Sequence, residues 1–346
     1  MKIRCIILCC LTMLLCACMQ EPENGYENTA RGNVEALWNI IDKKYCFVEE
    51  KGVDWQAVKT EYLGYADSVK TGRELFDLLS QMLDNLHDGH VNIYTDFDVS
   101  RNRDWYKGYP EIYNSELVYG PDYLTSSYHV AGGMHYNMIA DSLVGLIRYP
   151  SFSSGFGVMN MLYVLMYFSD CEGIVLDVRQ NGGGSIEYAK SLASTFFSEQ
   201  RQVGWWSHKT GEGHYDLSKP EMMQIDTTEY KETRWTKPVV VICDRGSYSA
   251  TNYFVNAMRY ADNCTIIGVT TGGGGGMPMS YELPCGWMVR FSSIKMYDKD
   301  MVSIEEGINP DVQINSAGTT RDTAIDKAVE IIKLRVESLE KSISLE

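Results

Sequence analysis

Apolar runs of strand length, most of them followed by a helical segment, constrain the fold of this chain more than any other feature of its sequence. They cover residues 143–149, 174–178, 239–243 and 265–269. Helical periodicity follows the first three runs, at 154–169, 186–198 and 250–261. Because continuously apolar strands are buried on both faces, this alternation is typical of a mainly parallel sheet covered by helices. The sequence therefore predicts an α/β core.

Further elements complete the predicted core, which we place at residues 143–346. Residues 277–283 and 287–293 have the pattern of an antiparallel pair of strands. Asp322 is placed to cap a closing amphipathic helix. The apolar stripe of that helix comprises Ala324, Ile325, Ala328, Ile332 and Val336.

A different pattern precedes the core. Residues 31–90 have helical periodicity, with Asp54 placed as one N-cap and Thr71 with Glu74 as a capping box for another helix. We predict a small N-terminal helical domain there. Residues 91–142 are rich in Tyr, Asn and Gly and predict a connector of short strands and loops.

The first eighteen residues have the features of an export signal. Lys2 and Arg4 precede an apolar stretch at 6–15 that is too short to span a bilayer. The stretch ends in Leu-Cys-Ala-Cys, which resembles a bacterial lipobox with Cys18 as the lipidated residue. The sequence predicts a lipoprotein signal peptide at 1–18, a polar tether at 19–30 and a lipid-anchored location in the bacterial cell envelope. The alternative is an ordinary secretion signal that is cut nearby.

Charge and cysteine content exclude several kinds of function. The formal charge is −15, and it becomes −17 without Lys2 and Arg4, so the surface repels nucleic acid. Past Cys18 five cysteines remain, an odd number without a Cys-x-x-Cys pair, which indicates neither zinc nor redox chemistry. A single bridge between Cys264 and Cys285 stays open.

A serine-rich turn is the first candidate for chemistry. Gly246-Ser247-Tyr248-Ser249-Ala250 directly follows the run at 239–243 and opens the helix at 250–261. A serine at such a turn presents its hydroxyl above the sheet edge, beside the free N–H groups of the helix N-terminus. A nucleophile and an oxyanion hole need this geometry. The alternative is that Ser247 and Ser249 only cap the helix.

A glycine-rich turn follows the neighbouring run. Leu176-Asp177-Val178-Arg179-Gln180-Asn181-Gly182-Gly183-Gly184 ends one strand and leads into a helix. Both this turn and the glycine run at 272–276 lack the Gly-Lys-Ser/Thr ending of a phosphate loop. Asp177 and Arg179, two charged residues at a buried strand, are expected to form an ion pair that holds the turn.

Together these motifs resemble the C-terminal processing peptidases and their relatives in the tricorn core. Three motifs occur in the family's order across about residues 75–315. They are the strand that ends in Asn and Gly-Gly, the later Ser-x-Ser-Ala, and the final Glu-x-Gly-Ile-x-Pro-Asp. The resemblance implies a ClpP/crotonase-like core and makes Ser249 the nucleophile of a serine peptidase. It places the oxyanion hole at the amides of Gly183 or Gly184 and of Ala250.

The chain departs from the Ser-Lys branch of that family. About twenty-five residues after the serine, where that branch has its lysine, this sequence has Gly274. About fifty residues separate His90 from the core, too few for the PDZ domain that is usually inserted.

The tricorn-like branch supplies another base. Leu86-His87-Asp88-Gly89-His90 matches its Leu-x-Asp-Gly-His pattern, which implies His90 as general base with a carboxylate that orients it, Glu305 or alternatively Glu306. A neutral imidazole accepts a serine proton near pH 7, whereas an unperturbed lysine cannot. Alternatives for His90 are a structural histidine at a helix end and a metal pair with His87, for which no third ligand is evident.

The implied activity is hydrolysis of peptides or protein C-terminal tails through an acyl-enzyme, without a cofactor or a metal. The rival hypothesis is an inactive ligand- or peptide-binding lipoprotein on the same fold, because the family also includes retinoid carriers. A purely structural lipoprotein would leave the motifs without a purpose. The sequence marks no interface between copies of the chain, so the oligomeric state stays open.

Overall fold

The computed structural model describes residues 25–343. The signal peptide, Cys18 and residues 19–24 of the predicted tether lie outside the described residues. The chain divides into two compact units. The first comprises the described residues up to Trp105 together with Ser207–Lys219 and Gly276–Lys295, and the second comprises Tyr106–Trp206, Pro220–Gly275 and the residues from Met296 onward.

Eight α-helices and twelve strands occur in the described part of the chain. The helices are α1 (Ala30–Lys44), α2 (Trp55–Ala66), α3 (Gly72–Asp84), α4 (Ser115–Val118), α5 (Val158–Tyr167), α6 (Ile186–Ser194), α7 (Ala250–Met258) and α8 (Thr323–Ile343). The strands are β1 (Asn92–Tyr94), β2 (His129–Ala131), β3 (Met134–Ile139), β4 (Val144–Arg148), β5 (Gly173–Asp177), β6 (Arg201–His208), β7 (Glu221–Ile225), β8 (Val239–Cys243), β9 (Cys264–Gly268), β10 (Gly276–Glu282), β11 (Met288–Tyr297) and β12 (Val312–Gln313).

The first unit contains the predicted N-terminal helices. The Asp54 carboxylate accepts from the Ala57 amide and caps α2, and the capping box of Thr71 and Glu74 begins α3. Apolar residues of α1–α3, such as Leu37, pack with residues of the antiparallel pair β10–β11, such as Phe291. The predicted helices and the predicted antiparallel pair are therefore confirmed, and both contribute to one core.

The second unit contains a sheet of seven strands in the order β12-β9-β8-β5-β4-β3-β2. Strands β4, β5, β8, β9 and β12 are parallel, whereas β3 is antiparallel to β4 and β2 is antiparallel to β3. The four apolar runs correspond to β4, β5, β8 and β9. The predicted α/β core with a mainly parallel sheet is confirmed.

Both faces of this sheet are buried. In β8, Val239, Val241 and Cys243 pack into a core that includes residues of α5, α6 and α7. Val240 and Ile242 face the opposite core, which residues of α8 cover. Because no face of the strand meets water, the strand is apolar at every position rather than at alternate ones.

Strands β6 and β7 were not predicted from the sequence. They pair antiparallel, with Arg201 opposite Ile225 and Trp206 opposite Glu221. Polar residues occupy many of their positions, and β7 is mostly exposed, so neither strand has a continuous apolar run. Their extended conformation depends on hydrogen bonding between the two strands, which are separate in the sequence, so a short stretch of sequence does not predict it.

The five cysteines of the described chain are free thiols. Cys264 and Cys285 therefore do not form the disulfide bridge that the sequence left open. Cys171 and Cys243 are fully buried among apolar side chains, where a thiol packs as a small hydrophobic group. Within residues 25–343, no helix is both long and apolar enough to cross a bilayer.

Candidate functional site

The glycine turn and the serine turn leave neighbouring strands of the sheet at the same edge. Strands β5 and β8 are parallel, and Asp177 near the end of β5 lies opposite Ile242 near the end of β8. In open α/β sheets, ligands bind at the edge formed by the carboxyl ends of the strands. The sheet therefore brings together two motifs that lie about seventy residues apart in the sequence.

Ser249 occupies a strained backbone conformation between β8 and α7. Its dihedral angles are φ 60° and ψ −120°, a region that residues other than glycine rarely adopt. The Ser249 side chain makes no capping hydrogen bond to α7, and the residue is partly exposed. A sharp strand-to-helix turn of this kind is how α/β hydrolases present a nucleophilic serine. Capping therefore does not explain Ser249.

Ser247 has a different, structural position. It is fully buried, its hydroxyl donates to the Val178 carbonyl at 2.8 Å, and its oxygen accepts from the Asp244 amide at 3.0 Å. These contacts tie the serine turn to the end of β5. Ser247 therefore stabilises the turn, whereas Ser249 is the serine of the turn that is partly exposed to solvent.

The glycine turn packs directly against the serine turn. Gly183 has φ +97°, and a Cβ atom added to it would lie 2.9 Å from both the Ala250 nitrogen and the Ser249 Cβ. A side chain at Gly183 would occupy the space beside the first amide of α7. The turn needs glycine at this position both for its backbone conformation and for this close approach.

Asn181 organises the glycine turn, a role that the sequence did not reveal. Its Nδ2 donates to the Tyr149 carbonyl at 2.9 Å, and its Oδ1 accepts from the Gly183 amide at 3.0 Å. The residue is fully buried. The motif itself, in which Asn precedes the glycines, is the only signal that pointed to this position.

A cluster of buried charged side chains lies where β5 ends and the glycine turn begins. The Arg179 guanidinium pairs with Asp177 at 2.7 Å, as expected, and also with Asp322 at 2.9 Å. All three side chains are fully buried. Asp322 also caps α8, since its Oδ1 accepts from the Ala324 and Ile325 amides. The predicted cap is confirmed, and its pairing with Arg179 links the glycine turn to the last helix.

Glu305 and Glu306 differ in their surroundings. Glu305 is 5% exposed, whereas Glu306 is exposed to solvent. The Glu305 carbonyl accepts from the Gly274 amide at 3.0 Å, and the Ser249 amide donates to the Gly273 carbonyl at 2.9 Å. The glycine run therefore lies between the serine turn and the segment that carries Glu305.

This packing explains the glycine run that the sequence left without a role. Gly273 and Gly274 have φ of 80° and 73°. A Cβ atom at Gly273 would lie 1.9 Å from the Glu305 carbonyl oxygen. A lysine at position 274 would have to adopt the same left-handed conformation, which is unfavourable for residues with a side chain.

His90 lies in the first unit, at the start of the segment that leads to β1, and is 3% exposed. Its amide donates to Asp88 at 2.7 Å, and the Tyr45 hydroxyl donates to the other oxygen of Asp88 at 2.6 Å. Burial lowers the pKa of His90 to about 4, although the negative charge of Asp88 acts to raise it. The positive charges of Arg290 and Lys51 also lower this pKa. The imidazole is therefore neutral at pH 7.

His87 does not share the environment of His90. Its side chain is mostly exposed, and its Nδ1 lies 3.4 Å from Asp104. Among the described residues, no three histidine, cysteine or carboxylate side chains gather as ligands of a metal ion would.

The predicted site residues thus fall into two sets. Gly183, Ser249 and Ala250 come together at one edge of the sheet in the second unit, which also contains Glu305. Gly184 follows Gly183 in the same turn and packs against Phe152. His90 belongs to the first unit.

Two family models match the chain. Residues 143–314 match peptidase family S41, and residues 26–84 match the tricorn protease C1 domain. The carboxy-terminal processing protease CtpA of Bacillus subtilis (strain 168) is 27% identical over 180 residues, which are 51% of this chain and 36% of CtpA. The chain therefore spans about a third of the length of this curated relative.

Solved structures extend the similarity to most of the chain. A candidate peptidase from Parabacteroides merdae ATCC 43184 is 41% identical, with a TM-score of 0.83 over 88% of this chain and 97% of that one. The tricorn protease has a TM-score of 0.55 at 15% identity over 90% of this chain and 37% of its own, which shows a shared fold. From the matching family models and the similarity to the Parabacteroides protein, we conclude that the chain belongs to peptidase family S41, a family of serine peptidases.

Proposed function

We propose that this protein hydrolyses peptide bonds through an acyl-enzyme on Ser249. The observation that carries the proposal is the strained turn at Ser249, whose side chain leaves α7 uncapped. The turn sits against a glycine loop and beside the first amide of a helix. Strain of about 1–3 kcal/mol at one residue persists only where the surrounding structure enforces it, and such strain concentrates at functional sites.

The Ala250 amide is the first proposed donor of the oxyanion hole, because it is an N-terminal amide of α7 without a partner inside the helix. Gly183 and Gly184 are the candidates for the second donor. The Gly183 N–H already donates to Asn181. We therefore favour the Gly184 N–H, with Gly183 taking part only if it leaves Asn181.

His90 is the proposed base. It matches the tricorn-like pattern, and its buried imidazole is unprotonated at pH 7. In the first step the Ser249 oxygen bonds to the peptide carbonyl carbon while its proton moves to His90. His90 then gives that proton to the departing amine as the C–N bond breaks. A water oxygen then bonds to the acyl carbon while one water proton moves to His90. The bond between that carbon and the Ser249 oxygen breaks as His90 returns the proton to Ser249.

Glu305 is the proposed carboxylate that orients the base, directly or through water. The burial of Glu305 supports this choice over the exposed Glu306, because an electrostatic interaction is stronger in a desolvated site than in water.

The proposed substrates are peptides or proteins with a free C-terminus, bound in an extended form. The name of the Bacillus relative, a carboxy-terminal processing protease, supports this class. Neither a cofactor nor a metal is part of the proposal.

Substitutions at three positions test the reaction. We expect Ser249→Ala and His90→Ala each to lower kcat by about 10³-fold or more, because each removes a group that acts in the transition state. Glu305→Gln should lower kcat, with Glu306→Gln as the matched control near wild-type activity. The measurement is cleavage of a quenched fluorescent peptide library, together with labelling by a fluorophosphonate probe.

Near-normal hydrolysis by purified His90→Ala would contradict the base assignment. A folded wild-type protein that neither labels nor cleaves would instead favour the rival function, a binding lipoprotein.

The pH dependence of kcat/KM tests the state of His90. Because burial lowers the pKa of His90 to about 4, the neutral form of the base predominates above about pH 4. We expect an acidic limb centred near pH 4–5 and a constant rate from pH 6 to 8. A limb centred between pH 6 and 7 would contradict an assignment to this buried imidazole.

Circular dichroism at each pH controls for unfolding. His90 binds a proton less readily in the folded protein than in the unfolded chain. The free energy of unfolding therefore falls as the pH decreases below the ordinary histidine pKa of about 6.5.

Gly183→Ala tests the oxyanion hole. The added Cβ would press on the Ala250 nitrogen and the Tyr248 carbonyl, and the φ of +97° disfavours alanine. We expect kcat to fall by about 10²-fold or more, because the added Cβ would displace the turn that carries the favoured Gly184 N–H relative to the Ala250 N–H. The matched control is Gly182→Ala, since Gly182 is exposed and its Cβ would meet nothing within 4 Å. Equal losses in the two variants, with unchanged thermal unfolding, would remove Gly183 from the site.

We also propose that Cys18 carries the lipid that attaches the protein to the cell envelope. The support is the lipobox-like sequence at residues 15–18. In detergent phase partitioning, the wild-type protein should enter the detergent phase and Cys18→Ser should remain in the aqueous phase. The same partitioning of both proteins would contradict lipidation.

A further inference from the structure

The segment that carries Glu305 is held on both flanks by two buried polar side chains. The Asn252 Nδ2 donates to the Ile304 carbonyl at 2.8 Å. The Thr271 hydroxyl donates to the Asn252 Oδ1 at 2.6 Å and accepts from the Ile308 amide at 2.6 Å. Both side chains are fully buried. Asn252 and Thr271 therefore hold the chain on both sides of Glu305, at Ile304 and at Ile308.

These two residues also connect that segment to the serine turn. Asn252 lies in the first turn of α7, three residues after Ser249. Thr271 lies between β9 and the glycine run whose Gly273 accepts from the Ser249 amide. A chain of short contacts therefore runs from the turn that presents the serine to the segment that presents the carboxylate.

We propose that Asn252 and Thr271 are positioning residues that set the Glu305 carboxylate relative to Ser249. The inference rests on the proposed function, in which Glu305 supports the base. Neither side chain is assigned to contact the substrate. Each acts through Glu305, and an error of about 1 Å in the placement of a catalytic group lowers the rate by as much as 10²-fold.

Further contacts limit what the loss of either side chain would do. The Thr271 amide donates to the Ile308 carbonyl at 3.0 Å. The Arg245 guanidinium donates to the Glu306 carbonyl at 3.1 Å and to the Thr271 carbonyl. Because these bonds persist without the Thr271 hydroxyl, its removal should shift the segment rather than unfold it.

Thr271→Val tests the proposal, because it removes the hydroxyl at nearly constant size. We expect kcat to fall by about 10-fold or more with KM changed less than about twofold. Thr271→Ser, which restores the hydroxyl, should recover most of the activity. The substrate is the peptide that the wild-type protein cleaves best, and rates are given per site labelled by a fluorophosphonate probe.

The chain offers a matched control for the loss of a buried hydroxyl. Thr251 lies next to Asn252 and is fully buried, but its Oγ1 has no hydrogen-bond partner among the described residues. Thr251→Val makes the same chemical change without breaking a bond, so its kcat should stay within about twofold of wild type. An equal loss in Thr251→Val and Thr271→Val would overturn the proposal.

A double-mutant cycle separates positioning from general destabilisation. If Thr271 acts through Glu305, adding Thr271→Val to Glu305→Gln should lower kcat by less than about twofold further. The same fold-loss in both backgrounds would show an independent structural role and overturn the proposal. If Thr271→Val does not fold, Asn252→Ala in the two backgrounds gives the same comparison.

The outcome for Ser249→Ala distinguishes the two proposals. Full activity of that variant would reject the proposed function itself. Loss of activity in Ser249→Ala, together with an unchanged kcat in Glu305→Gln, would keep the peptidase and reject positioning through Glu305.

Discussion

The pairing of Arg179 with Asp177 and Asp322 is the interaction on which the rest of the site depends. Burial by itself lowers the pKa of a guanidinium, but these two carboxylates outweigh it and raise the pKa of Arg179. Arg179 also donates to the Ile112 carbonyl at 2.6 Å. The glycine turn therefore starts from a position tied to β5, to α8 and to the segment before α4. Removing one partner of a buried pair costs about 3–5 kcal/mol, a large part of the 5–15 kcal/mol that stabilises a typical domain.

Hydrogen bonds hold strained backbone on either side of the site. Gln180 has φ 54°, and its amide and side chain both donate to Asp244, at 2.8 Å and 2.6 Å. Ser249 has φ 60° and is held through the Gly273 carbonyl. The two turns also bond directly to each other, since the Tyr248 amide donates to the Asn181 carbonyl. Their mutual bonds hold a geometry that neither turn would adopt alone, and this geometry places the proposed nucleophile beside the proposed amide donors.

Sequence patterns anticipated some parts of this protein and missed others. The run at 239–243 was predicted with its exact bounds, because a strand buried on both faces is apolar throughout. Asp322 was predicted as a cap, but its ion pair with Arg179 was not, since 143 positions separate them. Strands β6 and β7 were missed because pairing rather than composition defines them. The motif spacing favoured Glu305 over Glu306 only slightly, whereas in the structure Glu305 is buried and Glu306 is exposed.

By itself, the sequence determined the family, the α/β core and the residues that are candidates for chemistry, because these depend on local periodicity and on motifs within short windows. Only the tertiary structure decided the conformation of Ser249, the packing of Gly183 against Ala250 and the role of the glycine run. It also decided that His90 is buried and neutral. These properties arise from contacts between segments far apart in the chain, where burial changes the pKa of a side chain and close packing permits only glycine.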